Sequence, residues 1–203
     1  MPSDTEQTRL VKLKEVARIT AGLPARKKME EDPQGNMRVI RPKDTAAWRR
    51  VNHDELIRIR FKGRKIESYF LKPGDILFFG RSGQSHSVVL ESPVPENTAA
   101  APSFMVLRIK DDKTLPHYLN WYLNSDRAQK YFMAEAGGSF QRVVTKSVLE
   151  NLEVPLPEQS DQERIVRIWY LWLKEERLTR QRLKHREEMV QAGIDGILGG
   201  GMK

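Results

Sequence analysis

The sequence predicts an α+β fold: a mixed globular domain over residues 1–157, followed by one long helix over residues 158–199. Three observations predict it. Short apolar runs bounded by Gly, Pro and charged clusters fill residues 10–109, and several alternate with period two, as strands do. Residues 115–136 and 145–152 carry helical spacing instead. After an extended proline exit, VPLP at 154–157, almost everything up to the glycines at 199–201 fits a single helix.

Taken in order, residues 10–19 (LVKLKEVARI) suit a short helix or a strand–turn. Residues 21–24 (AGLP) break that element, and the charged stretch 25–33 reads as a loop. Residues 37–41 (MRVIR) form a short strand, and 42–50 is again loop-like. Residues 56–62 (LIRIRFK) alternate cleanly: Ile57, Ile59 and Phe61 point one way, Arg58, Arg60 and Lys62 the other. The basic face either tracks an anionic backbone or guards an exposed sheet edge. A turn at Pro73 and Gly74 leads into a buried strand, and residues 87–90 and 104–109 are two more strands. Residues 115–136 read as a helix ended by Gly137 and Gly138, with Trp121, Tyr122 and Phe132 on its core side. Residues 145–152 form a short helix.

Ser160 and Glu163 have the spacing of a capping box, which starts the long helix. Its span of about 38 residues would measure roughly 57 Å at 1.5 Å per residue. That exceeds the roughly 30 Å width of a domain of this size. Ile165, Trp169, Trp172, Leu183, Val190, Ile194 and Ile197 fall close to heptad spacing. Glu176, Thr179 and Arg186 or Glu187 make the middle of that seam polar. This is a helix that packs against other helices; the alternative is a hairpin broken near Lys174.

With 203 residues, one domain plus an appendage or two small domains are expected. A hydrophobic content of 39% supports a core, while a mean hydropathy of −0.59 leaves much of the chain to water. The net charge of +8 points to an acidic partner, nucleic acid first. Residues 161–203 carry nine basic and seven acidic residues, so most of the surplus lies in the first 160 residues. No apolar run reaches the roughly 18 residues of a membrane span, and the first ten residues lack the layout of a signal peptide. The chain has no cysteine. That excludes disulfides, thiolate zinc sites and cysteine nucleophiles, and it fits the cytoplasmic location we expect.

The residues offer no catalytic pattern. His53, His86, His117 and His185 are scattered, so a metal cluster is not expected. There is no dinucleotide or nucleotide-triphosphate glycine loop and no serine elbow. Residues 80–83 (GRSG) follow a strand and could cradle a phosphate, but no helix follows them. No cofactor is expected. The positive signals are three polar, basic loops: Arg26, Lys27 and Lys28 beside a Gly/Pro break, residues 81–86 (RSGQSH), and residues 139–142 (SFQR). Arg and Gln can make paired hydrogen bonds to base edges, while Ser, Lys and backbone amides suit phosphates. Each loop alone is an ordinary solvated turn; three in one basic domain favour DNA.

Several stretches also come in a particular order: 70–78 (FLKPGDILF), 104–108 (FMVLR), 117–125 (HYLNWYLNS), 137–141 (GGSFQ), 149–157 (LENLEVPLP) and 162–166 (QERIV). This series, across about residues 8–170, resembles the target recognition domain of the specificity subunit of type I restriction–modification systems. The resemblance implies a non-catalytic subunit that reads double-stranded DNA and carries a methyltransferase subunit, which methylates adenine using S-adenosylmethionine. A separate restriction subunit can join them. It also implies antiparallel helices that set the distance between two half-sites. This chain has one recognition domain and one helix, so the second half is expected from a second copy, in a homodimer reading an interrupted palindrome, with a different protein as the alternative source. Arg26, Lys27 and Lys28 would then anchor the backbone. Arg81, Gln84, Gln141 and Arg142 would read base edges, with Ser82, Ser139 and Lys146 on phosphates. Ile165, Trp169, Trp172, Leu183, Val190 and Ile194 would form the helix interface. The competing expectation is an adaptor or regulator that displays its helix and binds nucleic acid without regard to sequence.

Overall fold

The computed structural model describes residues 8–24, 29–45, 51, 53–62, 66–81, 84–135 and 143–199. In chain order the elements are β1 (Arg9–Lys12), α1 (Leu13–Val16), β2 (Ala17–Ala21), β3 (Met37–Ile40), β4 (Ile57–Ile59), β5 (Ile76–Arg81), β6 (Gln84–Val89), β7 (Thr98–Ala100), β8 (Phe104–Ile109), α2 (Pro116–Leu123), α3 (Asp126–Glu135), α4 (Lys146–Asn151), β9 (Glu153–Leu156) and α5 (Gln159–Gly199). The chain divides into two compact units, Met1–Glu163 and Arg164–Lys203.

The first unit is built on a four-stranded antiparallel sheet, ordered β2-β8-β5-β6. Successive side chains on a strand point to opposite faces, and both faces of this sheet are covered. On one side Leu77, Val88, Phe104 and Val106 join Met37, Val39, Ile40 and Ile57 in a single apolar cluster. Those partners come from a second sheet, β4-β3-β7, in which β3 runs antiparallel to β4 and parallel to β7. On the other side Phe78 meets Phe132 of α3 edge to face, with ring centres 5.1 Å apart. There Ser87 also donates its hydroxyl to Asn120 Oδ1 and its N–H to Asn124 Oδ1, both at 2.8 Å. These bonds satisfy buried polar groups that would otherwise cost about 1–3 kcal/mol each, and they fix α2 on β6.

The strand parity at Ile57, Arg58 and Ile59 is as the alternation predicts, buried–exposed–buried, although the strand is shorter than the pattern. The predicted turn is present, with Gly74 at φ +86°, where a side chain would be strained. Residues 10–19 resolve as strand, one helical turn and strand. Residues 115–136 do not form the single helix their spacing suggests. Asn124 turns its side chain onto Ser87, and Ser125 Oγ accepts from Ala128 N–H at 3.4 Å, so α2 ends and α3 begins there.

The proline exit is itself a strand. β9 pairs with β1, register Arg9↔Leu156 through Lys12↔Glu153. Pro155 is tolerated because, among the described residues, this ribbon has two strands and each keeps an unpaired edge. The Tyr118 hydroxyl donates to the Pro155 carbonyl, and Tyr122 to that of Glu153 at 2.7 Å.

One continuous helix of 41 residues spans Gln159–Gly199, with no break near Lys174. It is about 62 Å long at 1.5 Å per residue. It starts one residue ahead of the predicted cap: Asp161 and Gln162 donate backbone N–H groups to the Glu158 carbonyl, at 3.1 Å each. Ser160 Oγ donates instead to the Glu158 carboxylate at 2.6 Å, so the capping box with Glu163 does not form. Gln162 is fully buried and ties this first turn down. Its Oε1 accepts from Leu115 N–H, and its Nε2 donates to the Lys113 and Pro157 carbonyls, all at 2.9 Å.

The second unit, considered alone, is a helical segment whose side chains are almost all exposed. Its polar middle is laced by pairs one turn apart, such as Arg180 to Glu176 at 2.6 Å. No helix among the described residues is long and apolar enough to cross a membrane.

Candidate nucleic-acid interface

Antiparallel pairing brings several chain segments to one end of the four-stranded sheet. Ala21, at the end of β2, is opposite Met105 at the start of β8. Phe79 of β5 is opposite both Phe104 and His86. Arg81 and Gln84 close the β5–β6 pairing at the same end. Beyond Phe104, where β8 has yet to begin, its place beside β5 is taken by the chain at 143–144. Arg81 forms a bridge with Val143, and Val144 N–H donates to the Gly80 carbonyl at 3.0 Å. Gly80 is required there, because a Cβ would stand 2.9 Å from Val144 Cβ. Gly22 N–H reaches the Phe104 carbonyl and Leu23 N–H that of Ala100, at 3.0 and 2.8 Å. The stems of all three predicted basic loops therefore converge on one sheet end.

Of the predicted DNA contacts, Arg26, Lys27, Lys28, Ser82, Ser139, Gln141 and Arg142 lie outside the described residues. Arg81 is exposed at the last position of β5. Gln84 is the first residue of β6, directly opposite Arg81. Lys146 is exposed in the first turn of α4, 3.5 Å from Glu150. Thr145 caps that helix by accepting from Val148 N–H. Of the stretch 80–83, residues 80 and 81 belong to β5, and residues 82 and 83 lie outside the described residues.

The sequence reading missed the two struts that brace this hairpin. Ser85 Oγ donates to Gln129 Oε1 of α3 at 2.6 Å. On the opposite face His86 Nε2 lies 3.1 Å from Thr45 Oγ1. Thr45 already donates to the Pro42 carbonyl at 3.0 Å, so it accepts here, and His86 carries its proton on Nε2. Burial pushes the His86 imidazole below its ordinary value, which keeps it neutral at pH 7. Neither strut was legible, because both join residues more than 40 positions apart. Among the described residues no group of His, Asp or Glu could hold a metal ion.

The predicted helix residues differ in exposure. Ile165 is half-buried and Trp169 buried, its ring 5.4 Å from that of Tyr170. Trp172, Leu183, Val190 and Ile194 are 45–63% exposed, a large apolar surface for one helix.

A family model described as type I restriction modification DNA specificity domain matches residues 5–183. No curated protein matches the chain. Among solved structures, the type I restriction–modification system S subunit from M. genitalium is 13% identical with a TM-score of 0.55, matching 86% of this chain and 41% of that one. The HsdS subunit from Thermoanaerobacter tengcongensis is 20% identical with a TM-score of 0.56, over 86% and 40%. A chain from a structure described as showing complex assembly and conformational transition of the type I R-M system is 21% identical with a TM-score of 0.59, over 95% and 44%. The chain thus spans 40–44% of the length of these structures. At such identities the likeness establishes the fold.

Proposed function

We propose, because this chain belongs to the family of type I restriction modification DNA specificity domains, that it is a non-catalytic subunit that reads a specific duplex DNA sequence. The observation that carries this reading is the convergence of the three basic-loop stems on one end of the sheet. Residues 81, 84, 141 and 142 supply the Arg and Gln groups that suit base edges. Arg26, Lys27, Lys28, Ser82, Ser139 and Lys146 supply backbone contacts, which position the protein without reading sequence.

The partner in this reading is an adenine methyltransferase subunit, with a restriction subunit able to join. A second copy of the chain supplies the other half-site. The exposed Trp172, Leu183, Val190 and Ile194 support that pairing, because an apolar stripe on a long helix is stabilised by burial against other helices. Two-fold symmetry then requires an inverted repeat with a fixed gap.

The test is selection from a random duplex pool at two salt concentrations, using the chain with any methyltransferase encoded beside it. Enrichment of two inverted motifs at a fixed gap is the expected result. Gln141→Ala and Arg142→Ala should then lose motif preference more than general affinity. Retention of DNA with no motif, fading steeply with salt, would replace this reading with a sequence-blind adaptor.

A further inference from the structure

Like charges directly opposite each other on an antiparallel pair are destabilising, yet Arg38 of β3 faces Arg58 of β4 as a direct partner. Met37, Val39, Ile57 and Ile59 are buried, so both arginines stand on the outer face of this sheet. Arg38 donates to the Glu96 main-chain carbonyl at 3.2 Å. Among the described residues, neither arginine has a carboxylate within ion-pair distance.

Some other arginines of the first unit are neutralised. Arg108, opposite Arg18, grips Asp75 with two bonds of 2.7 and 2.6 Å. Arg60 holds Asp32 at 2.8 Å. Edge protection accounts for Arg58, since β4 is an edge strand, but not for Arg38, because β3 is the central strand of its sheet. Arg38 also lies close to the loop-bearing end. Two residues on, about 7 Å along the strand, the Ile40 carbonyl accepts from Ala101 N–H, and neighbouring Ala100 accepts from Leu23.

We propose that Arg38 and Arg58 together clamp one phosphate of the DNA backbone beside the recognition site, an inference that rests on the DNA-reading function above. Each guanidinium carries a planar fork of N–H donors that matches phosphate oxygens, and the strand register sets the two residues side by side.

The experiment uses the full chain with its methyltransferase and a duplex carrying the selected motif. Affinity is measured between about 50 and 200 mM salt. Losing one phosphate contact lowers the salt slope by about 0.9. In R38Q/R58Q the affinity drop across that range should therefore shrink about 3.5-fold, with the motif unchanged. Arg58→Glu places a carboxylate opposite Arg38, so it should weaken DNA binding while leaving the melting temperature unchanged or higher. An unchanged salt slope in both variants overturns the clamp, as does a fall in melting temperature matching the loss of binding. Wild-type chain that enriches no motif would instead sink the recognition function itself.

Discussion

Gln162→Leu preserves the volume of a fully buried side chain and deletes its amide. Three hydrogen bonds disappear, to Leu115 N–H and to the carbonyls of Lys113 and Pro157. Each contributes about 1 kcal/mol net, and the Leu115 donor left without its partner adds about 1 kcal/mol or more. The added apolar burial returns about 1 kcal/mol. The expected loss is about 3 kcal/mol, which at a urea dependence of about 2–3 kcal/mol per molar lowers the midpoint by about 1–1.5 M. Urea unfolding of the full chain followed by far-UV circular dichroism measures it, and hydrogen exchange at the Leu115 amide localises it. Gln162→Glu should be worse than leucine, since it turns a carboxylate toward two carbonyl oxygens. A midpoint shift below about 0.3 M, with Leu115 still protected, would refute the idea that this amide fastens the first turn of the long helix.

Gly80→Ala drives a Cβ to 2.6 Å from the Phe78 ring and 2.9 Å from Val144 Cβ. It should cost about 1–3 kcal/mol and displace the 143–144 stem, so motif preference in the selection assay should broaden. Burial raises the pKa values of the Tyr118 and Tyr122 phenols, so the fold favours their neutral forms. The unfolded chain releases these protons near pH 10 while the folded chain retains them. That contribution is complete below about pH 10 and is lost as pH rises toward the folded values. Tyr122→Phe should flatten the alkaline decline in urea midpoint, and at pH 7 it should cost about 1 kcal/mol for the Glu153 bond. Trp172→Asp puts a charge on the proposed helix seam. Sedimentation should show a dimer reduced to monomer; an unaltered dimer would place the seam elsewhere.

Local pattern carried much of the architecture. Residues 104–109 form β8 as their apolar run predicts, and Ile57 and Ile59 are buried with Arg58 exposed. What escaped depends on partners far along the chain. β7 is three small residues, Thr98–Ala100, with no alternation, and its strand character comes from lying beside β3. The break at Asn124 exists because Ser87 is there to receive it. Arg38 and Arg58 are 20 positions apart, and only the strand register reveals that they face each other. The basic loops were legible as compositions, but their common origin follows from the antiparallel order of β2, β8, β5 and β6.

The ribbon of β1 and β9 has an evolutionary consequence. It holds residues 9–12 against residues 153–156, with Leu13 N–H closing on the Leu152 carbonyl at 2.9 Å. Chain entry and exit are therefore held about 5 Å apart, whatever happens to the loops between them. Recombination with crossovers in these two strands would exchange the entire loop set as a cartridge. The incoming cartridge would meet the same doorway, and under the proposed DNA-reading function the helix beyond would inherit a new sequence preference with no adjustment of its own.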